Sequence, residues 1–418
     1  MIVLWITNIV FPEAEQLLTG YGTLKASGGW MVGAADALVG YSDIKLVVAT
    51  VSKDVKELTR LEGERVTYYL LPFGKGYTRI NHDYESLWLK VRDEVNPDVV
   101  HLHGTEYSHG LAYLEACGIE NVCVSIQGLV SAYYYFYYYG LTKREILSSP
   151  TLVSLIRGGV LNGFRDFKKR GEIEKKIIRK VRHILGRTSW DRQRTWAINP
   201  DATYYYCGET LRKEFYSGLL WNYKNCTPHT IFLSQAGYPI KGLHMVLRAM
   251  SLILRHYPDV KLRIAGFDIS RSKGGKELLK ISDYGLIIRR LICKLGLKDC
   301  VSFIGSLDAK GMREEYLRSN VFVCPSSIEN SPNSLGEAQV LGVPVVASYV
   351  GGIPDMMKGD EDNLYRFEEV EMLASKIVQL FDKNDKVDTE QMRNIALQRH
   401  NPQKNVLDLM EIYKKVAK

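Results

Sequence analysis

From end to end the chain alternates short apolar runs with segments of helical period, and this alternation restricts the fold more than any other feature of it. An apolar run without polar alternation has to be covered on both faces, which is the situation of a parallel strand between two layers of helices. The runs predict strands at Ile2–Thr7, Lys45–Thr50, Thr67–Leu71, Val99–His103, Val122–Ile126 and His183–Gly186. They recur at Thr230–Gln235, Lys261–Gly266, Val301–Ile304, Val321–Cys324 and Val343–Ala347, with helices such as Lys241–His256, Arg289–Lys294 and Met312–Ser319 between them. At 418 residues the chain exceeds one ordinary core. The reading is α/β, with two doubly wound, Rossmann-like domains facing each other across a cleft. The first is expected over 1–215 and the second over 229–401, joined through Tyr216–Pro228. An amphipathic helix within 402–418 is expected to cross back to the first domain.

Composition narrows the class. A hydrophobic share of 46% with 24% charged residues is that of a soluble globular protein. The seven cysteines are scattered and form no Cys-x-x-Cys pair, which argues against a zinc site and a disulfide framework and predicts a cytoplasmic home. The apolar start lacks a basic leader and a small-residue cleavage site, so it reads as a first strand. No apolar run reaches the length of a membrane-spanning helix. No Gly-x-Gly-x-x-Gly follows the first strand, which speaks against a dinucleotide oxidoreductase.

Charge is uneven. Residues 141–195 hold 15 Lys/Arg against 5 Asp/Glu, although the whole chain is only +8. The tyrosine-rich run Tyr133–Tyr139 precedes this segment, and Lys168–Arg182 has helical period with Ile173, Ile177 and Val181 on one stripe. One reading is a packed helix with a solvated basic face. The other is that residues 133–182 meet an anionic membrane surface or a lipid-linked diphosphate. No nucleic-acid module is present, so nucleic acid is not an expected partner.

The densest chemistry lies in Ser326-Ser-Ile-Glu-Asn-Ser-Pro-Asn-Ser-Leu-Gly-Glu337. After a buried strand, Ser331 reads as an N-cap and Pro332 as the first helical residue. Free N–H groups at Asn333, Ser334 and Leu335 then form an anion site. Glu337 follows one turn later on the side of Asn333, placed to accept two ribose hydroxyls. Glu329, ahead of the helix, sits where a sugar beyond a diphosphate would lie. Lys241, in Tyr238-Pro-Ile-Lys-Gly242, supplies positive charge to a departing diphosphate. In the first half, Gly28-Gly29 opens a helix, and His103 and Gln127 lie at or just beyond the ends of strands. Arg187 follows another strand end. No carboxylate-rich cluster or Asp-x-Asp is present, and no metal is expected.

These motifs resemble the family 4 retaining glycosyltransferases, which have the GT-B fold. The resemblance rests on Glu329 and Glu337 as a Glu-x7-Glu pair, on Gly342-Val-Pro-Val-Val-Ala-Ser and on Gly351-Gly-Ile-Pro. It implies a retaining, metal-independent hexosyltransferase that needs no cofactor. Its donor would be a UDP- or GDP-type sugar and its acceptor a sugar or lipid-linked sugar, in cell-surface polysaccharide or glycolipid assembly. By it, Glu329, Lys241 and Gln127 are catalytic; Gly29, Gln235, Lys241, Asn333, Ser334, Leu335 and Glu337 bind donor; His103 and Arg187 are further candidates. A peripheral place on the inner membrane face accompanies this expectation. The chain departs from the family pattern at Gln235, where an arginine is usual, at Gln127, where a histidine is common, and at Asn330-Ser-Pro, in place of Gly-Phe-Gly. Those departures leave two alternatives open: a non-catalytic sugar-nucleotide or polysaccharide binding subunit, and an epimerase or hydrolase of the same fold.

Overall fold

Residues of alternating facing in Val3-Leu4-Trp5-Ile6 are all buried, so the first strand must carry a core on each side. The computed structural model describes residues 1–20, 29–41, 43–74, 76, 78, 83–271 and 281–417. It divides into two compact units. The first comprises Met1–Ala132, Phe167–Arg212 and Arg399–Lys418; the second comprises Tyr133–Asp166 and Lys213–Gln398.

The first unit holds an eight-stranded sheet in the order β3-β4-β2-β1-β5-β6-β7-β8. Its strands are β1 (Ile2–Ile6), β2 (Lys45–Ser52), β3 (Thr59–Glu62), β4 (Val66–Pro72), β5 (Val99–His103), β6 (Val122–Ser125), β7 (His183–Gly186) and β8 (Thr203–Tyr206). All pairings are parallel except β3 with β4. Leu4 and Ile6 pack with Trp88, Leu111 and Ile177 in one core; Val3 and Trp5 pack with Met31, Ala35, Leu409 and Tyr413 in the other. The C-terminal helix Pro402–Val416 thus closes the second face of this sheet, and Trp5 Nε1 donates to Tyr413 Oη at 2.8 Å.

The second unit holds six parallel strands in the order β11-β10-β9-β12-β13-β14. They are β9 (Thr230–Leu233), β10 (Lys261–Ile264), β11 (Val301–Phe303), β12 (Val321–Cys324), β13 (Val345–Ser348) and β14 (Leu364–Tyr365). Phe232, Phe322, Val345 and Ala347 meet Leu335, Ala338 and Met356 in its core.

Every strand expected from the apolar runs is present, with ends moved by a residue or two. β3, β8 and β14 were not anticipated. The sequence of β3 is Thr-Arg-Leu-Glu, a polar antiparallel edge whose side chains are exposed or half-buried. An edge strand needs no continuous apolar run.

The division of the chain also differs from expectation. Tyr133–Asp166, placed by contiguity in the domain 1–215, packs into the second unit. Ser327 Oγ donates to the Phe136 carbonyl at 2.8 Å, His244 Nε2 lies 3.0 Å from the Tyr139 carbonyl oxygen, and Arg248 bonds the Gly140 carbonyl and Glu145. Tyr139 stacks on Phe367. Aromatic rings lacking an apolar neighbour in sequence have found one in space. The first unit correspondingly extends back to Arg399 rather than beginning its last segment at 402.

Candidate active site

In the second unit the strand order reverses between β9 and β12, so the chain leaves their adjacent C-terminal ends in opposite directions and opens a crevice there. β9 runs into a loop and a short 3-10 turn, Pro239–Lys241, ending at Gly242. Gly242 has φ 71°, and a Cβ on it would lie 1.8 Å from the Pro325 carbonyl oxygen, so only glycine lets the two loops close on each other. That approach sets Lys241 against the loop after β12. Lys241 Nζ lies 2.9 Å from Glu329 Oε2, and both side chains are only 13% exposed. Burial works against the ammonium, but the neighbouring carboxylate prevails and holds its pKa above the ordinary lysine value.

Glu329 is held through its backbone. Its carbonyl accepts the Gly352 N–H at 3.0 Å, and a Cβ on Gly351, at φ 53°, would come within 2.0 Å of that oxygen. Ser348 Oγ donates to the Ser326 carbonyl at 2.6 Å, and Ser327 N–H donates to the Ile240 carbonyl at 2.8 Å. The resulting hollow is lined by Ser234, Gln235, Lys241, Ser326, Glu329 and Ser334, among others. Gln235 is exposed at its edge. The loop carboxylate, the lysine and the glutamine expected from separate stretches are therefore neighbours.

The helix after Glu329 starts one residue later than expected. It spans Asn333–Leu341 with Pro332, not Ser331, at the N-cap, because Pro332 has ψ 120° and lies outside the helix. Leu335 N–H is not free either: it donates to the Pro332 carbonyl at 3.0 Å. Asn333 and Ser334 keep first-turn N–H groups, which have no intrahelical acceptor, and Asn333 Oδ1 is buried without a protein partner. Glu337 is 4% exposed and is not among the residues lining the hollow. Tyr316, which sequence reading missed, donates to Ser334 O at 2.9 Å and to Glu337 Oε2 at 3.3 Å.

In the first unit the strand order reverses between β1 and β5, and His103 ends β5 at that point. Gly104, at φ 96°, gives the turn away from it; a Cβ there would meet Asn8 Nδ2 at 2.3 Å. His103 is fully enclosed, its ring 4.3 Å from Trp5 and 3.9 Å from His101 between centroids. Neither of its ring nitrogens has a protein partner. Burial, with the nearby His101 and Arg187, drives its pKa well below the usual value, so the ring is neutral. His101 is different: its nitrogens reach Tyr413 Oη and Ser125 Oγ, each at 2.6 Å, a satisfied core histidine. Gln127 Nε2 is also buried without a protein partner. Unpaired buried polar atoms are uncommon in native proteins. Here they include His103, Gln127 and Asn333, three residues singled out for ligand contact, and also Arg313 and Tyr365, which were not.

Arg187 lines a hollow with His103, Trp5, Trp30, Ser125 and Glu209. Its guanidinium is buried in an ion pair with Glu209 and donates to the Ile126 carbonyl at 2.5 Å. The carboxylate of Asp191, four residues on, takes the Arg187 backbone N–H instead. Gly29 begins the helix Gly29–Leu38, and the Arg212 side chain lies 3.2 Å from where a Cβ would stand. Ser27 and Gly28 lie outside the described residues. Among the described residues no three His, Cys, Asp or Glu side chains converge in a way that could hold a metal ion, and no helix is long and apolar enough to cross a membrane.

Residues 227–383 match the family described as Glycosyl transferases group 1. The chain is 29% identical over 125 residues to D-inositol 3-phosphate glycosyltransferase of Corynebacterium jeikeium, covering 30% of this chain and 28% of that protein. It is 29% identical over 150 residues to spore coat protein SA of Bacillus subtilis, covering 35% and 38%. The match therefore spans well under half the length of either relative. Among solved structures, sucrose-phosphate synthase from Thermosynechococcus elongatus is similar at a TM-score of 0.68, with 15% identity over 99% of this chain and 98% of that one. Anabaena HepE in complex with UDP-glucose is similar at 0.64, with 14% identity over 99% and 100%. At these identities the likeness is one of fold, that of the GT-B glycosyltransferases.

Proposed function

We propose, for a chain whose residues 227–383 belong to the group 1 glycosyl transferases, that it moves a sugar from a nucleotide-sugar donor to an acceptor hydroxyl. The observation that carries this reading is the Lys241–Glu329 pair at the point where the sheet order reverses, beside the helix that begins at Asn333. Lys241 and the first-turn N–H groups of Asn333 and Ser334 supply the positive charge that a leaving nucleoside diphosphate requires. Glu329 orients the sugar hydroxyls, and Glu337 serves the ribose. Gln235 offers the diphosphate a hydrogen bond but no charge. In the first unit, Gln127 and His103 have unfilled polar atoms for sugar hydroxyls, and Gly29 lets a ligand approach the helix start closely.

The transfer is read as retaining and metal-independent. Front-face displacement has the acceptor attack on the side from which the diphosphate leaves, with a phosphate oxygen taking the acceptor proton; the protein contributes position and charge. Metal independence is supported by the cation already present at Lys241. The donor is a UDP- or GDP-sugar, a proposal to which the UDP-glucose bound by HepE lends support. The acceptor is a sugar or lipid-linked sugar in polysaccharide or glycolipid assembly, and residues 133–182 bring the cytoplasmic protein to an anionic membrane.

Thermal melting against a panel of nucleotide sugars is the direct test. A ligand that binds only the folded chain raises its apparent stability, so one donor is expected to stand out. No shift across the panel would overturn the reading. With that donor, the product should keep its anomeric configuration by NMR, and turnover should survive EDTA. Consumption of donor without acceptor, at the full rate, would instead favour a hydrolase.

A further inference from the structure

Between the tyrosine run and the long basic helix, the second unit presents apolar side chains to solvent. The helix Leu152–Arg157 carries Leu152, Leu155 and Ile156 at spacings that share one face. Leu155 is 75% exposed and Ile156 is 81% exposed. Leu147, at the end of Lys143–Leu147, and Leu161, in the first turn of Gly159–Lys180, are also exposed.

This face is held in place from the other side. Arg248 clamps Glu145 at 2.7 Å; Arg290 Nη1 donates to Ser148 O and Ser149 Oγ at 2.7 and 2.8 Å; Asp283 accepts the Val160 N–H at 2.6 Å. Capping boxes at Thr142 and Thr151 define the two short helices, and Gly158 ends the second in the left-handed region. Three polar anchors on helices of the second unit thus fix a segment whose leucines could otherwise have turned inward.

Cations adjoin it along the chain. Lys143 and Arg144 are exposed at the start of the first short helix. Arg165 lies one turn beyond Leu161, on the same face of its helix, and Lys168 and Lys169 follow a further turn along. Glu145, the acidic residue nearest Lys143 and Arg144, is engaged with Arg248. Exposed apolar side chains with exposed lysine and arginine close by in sequence, preceded by exposed Tyr135, Tyr138 and Tyr139, match the boundary of a bilayer with anionic head groups.

We propose that the apolar face of Leu152–Arg157, with Leu147 and Leu161, inserts into an anionic lipid surface, and that Lys143, Arg144 and Arg165 meet the head groups. This narrows the membrane reading given above, which assigned the whole of 133–182, and rests on it. The full-length protein should co-sediment with vesicles of phosphatidylcholine and phosphatidylglycerol in equal parts, and much less with phosphatidylcholine alone. Removing one buried leucine-sized group from the lipid changes partitioning about tenfold or more. Leu155→Asp with Ile156→Asp should therefore abolish sedimentation, and Lys143→Glu with Arg144→Glu should weaken it in a salt-sensitive manner. Both variants should keep the wild-type melting temperature and donor-induced shift, which separates this proposal from the transfer reading. Unchanged sedimentation of the Asp variant would overturn the proposal, as would failure of the wild type to bind anionic vesicles. A wild-type dimer that the Asp variant turns into a monomer, with no vesicle binding, would assign the face to a second copy of the chain instead.

Discussion

Lys241 and Glu329 stabilise each other as an ion pair, and a bound donor would have to compete for both. Removing either leaves a mostly buried partner uncompensated, so each variant is expected to lose stability as well as rate. Lys241→Ala and Glu329→Gln should each lower kcat by about 100- to 1000-fold, the cost of one electrostatic contact to a transition state, about 2.7–4 kcal/mol. Steady-state rates taken well below each variant's melting temperature would measure this, and a normal kcat in either variant would remove the pair from the site. Arg187 is expected to act on stability alone. Its charge is already met by a buried Glu209, so Arg187→Ala leaves a carboxylate uncompensated. A loss of about 3–5 kcal/mol is expected, read as a lower denaturant midpoint, with Glu209→Gln in the same chain recovering part of it. A stable Arg187→Ala protein with poor donor affinity would give the arginine to the phosphates. Sequence located both residues but could not pair them: Lys241 with Glu329 spans 88 positions, and only the parallel register of β9 with β12 makes them neighbours.

Two elements carry consequences of their own. The loop Gly351-Gly352 supports Glu329 through a backbone hydrogen bond and has no room for a side chain at Gly351. Gly351→Ala should cost about 1–3 kcal/mol through the forced conformation and the clash, and should lower kcat because Glu329 moves. Gly296→Ala is the matched control. It too lies in the left-handed region, at φ 67°, but with open space around it, so its cost is strain alone, about 1–2 kcal/mol, with kcat unchanged. Equal kcat losses in the two variants would discard the support role. The long helix Gly159–Lys180 buries Glu174, which accepts the N–H groups of Val130 and Ser131 and the Thr105 hydroxyl. Burial outweighs those bonds and raises its pKa from 4.5 to about 7. Folded protein thus holds this proton where unfolded chain has released it, so stability should fall as pH rises from about 4.5 to about 7, by up to about 3 kcal/mol. Glu174→Gln should flatten that part of the stability–pH curve; an unchanged slope would locate the dependence elsewhere. The stripe Ile173, Ile177 and Val181 is buried as its period suggested, whereas no spacing rule announces a glutamate on the inner side of a basic helix.

At the scale of the whole chain, the two units interleave along the sequence, changing over after Ala132, Asp166, Arg212 and Gln398. Ligand bound to one unit should stabilise only the backbone that folds with it. Hydrogen exchange with UDP or the matching nucleotide present is expected to show added protection over Tyr133–Asp166 together with Lys213–Gln398. Protection of Tyr133–Asp166 only with residues 1–132 would contradict that division. The apolar runs by themselves determined the strands other than β3, β8 and β14, with their parallel pairing and two-layer cover, because a parallel strand covered on both faces is predominantly apolar. Local chemistry likewise placed a glutamate, a lysine and a helix start on loops after strands. Tertiary structure alone decided that the tyrosine run joins the second unit, that Arg187 pairs with Glu209, and that the helix after Glu329 begins past Pro332. Those outcomes depend on which surfaces meet in space. A residue's neighbours at long sequence separation, unlike its own polarity and period, are set by the packing of the whole domain.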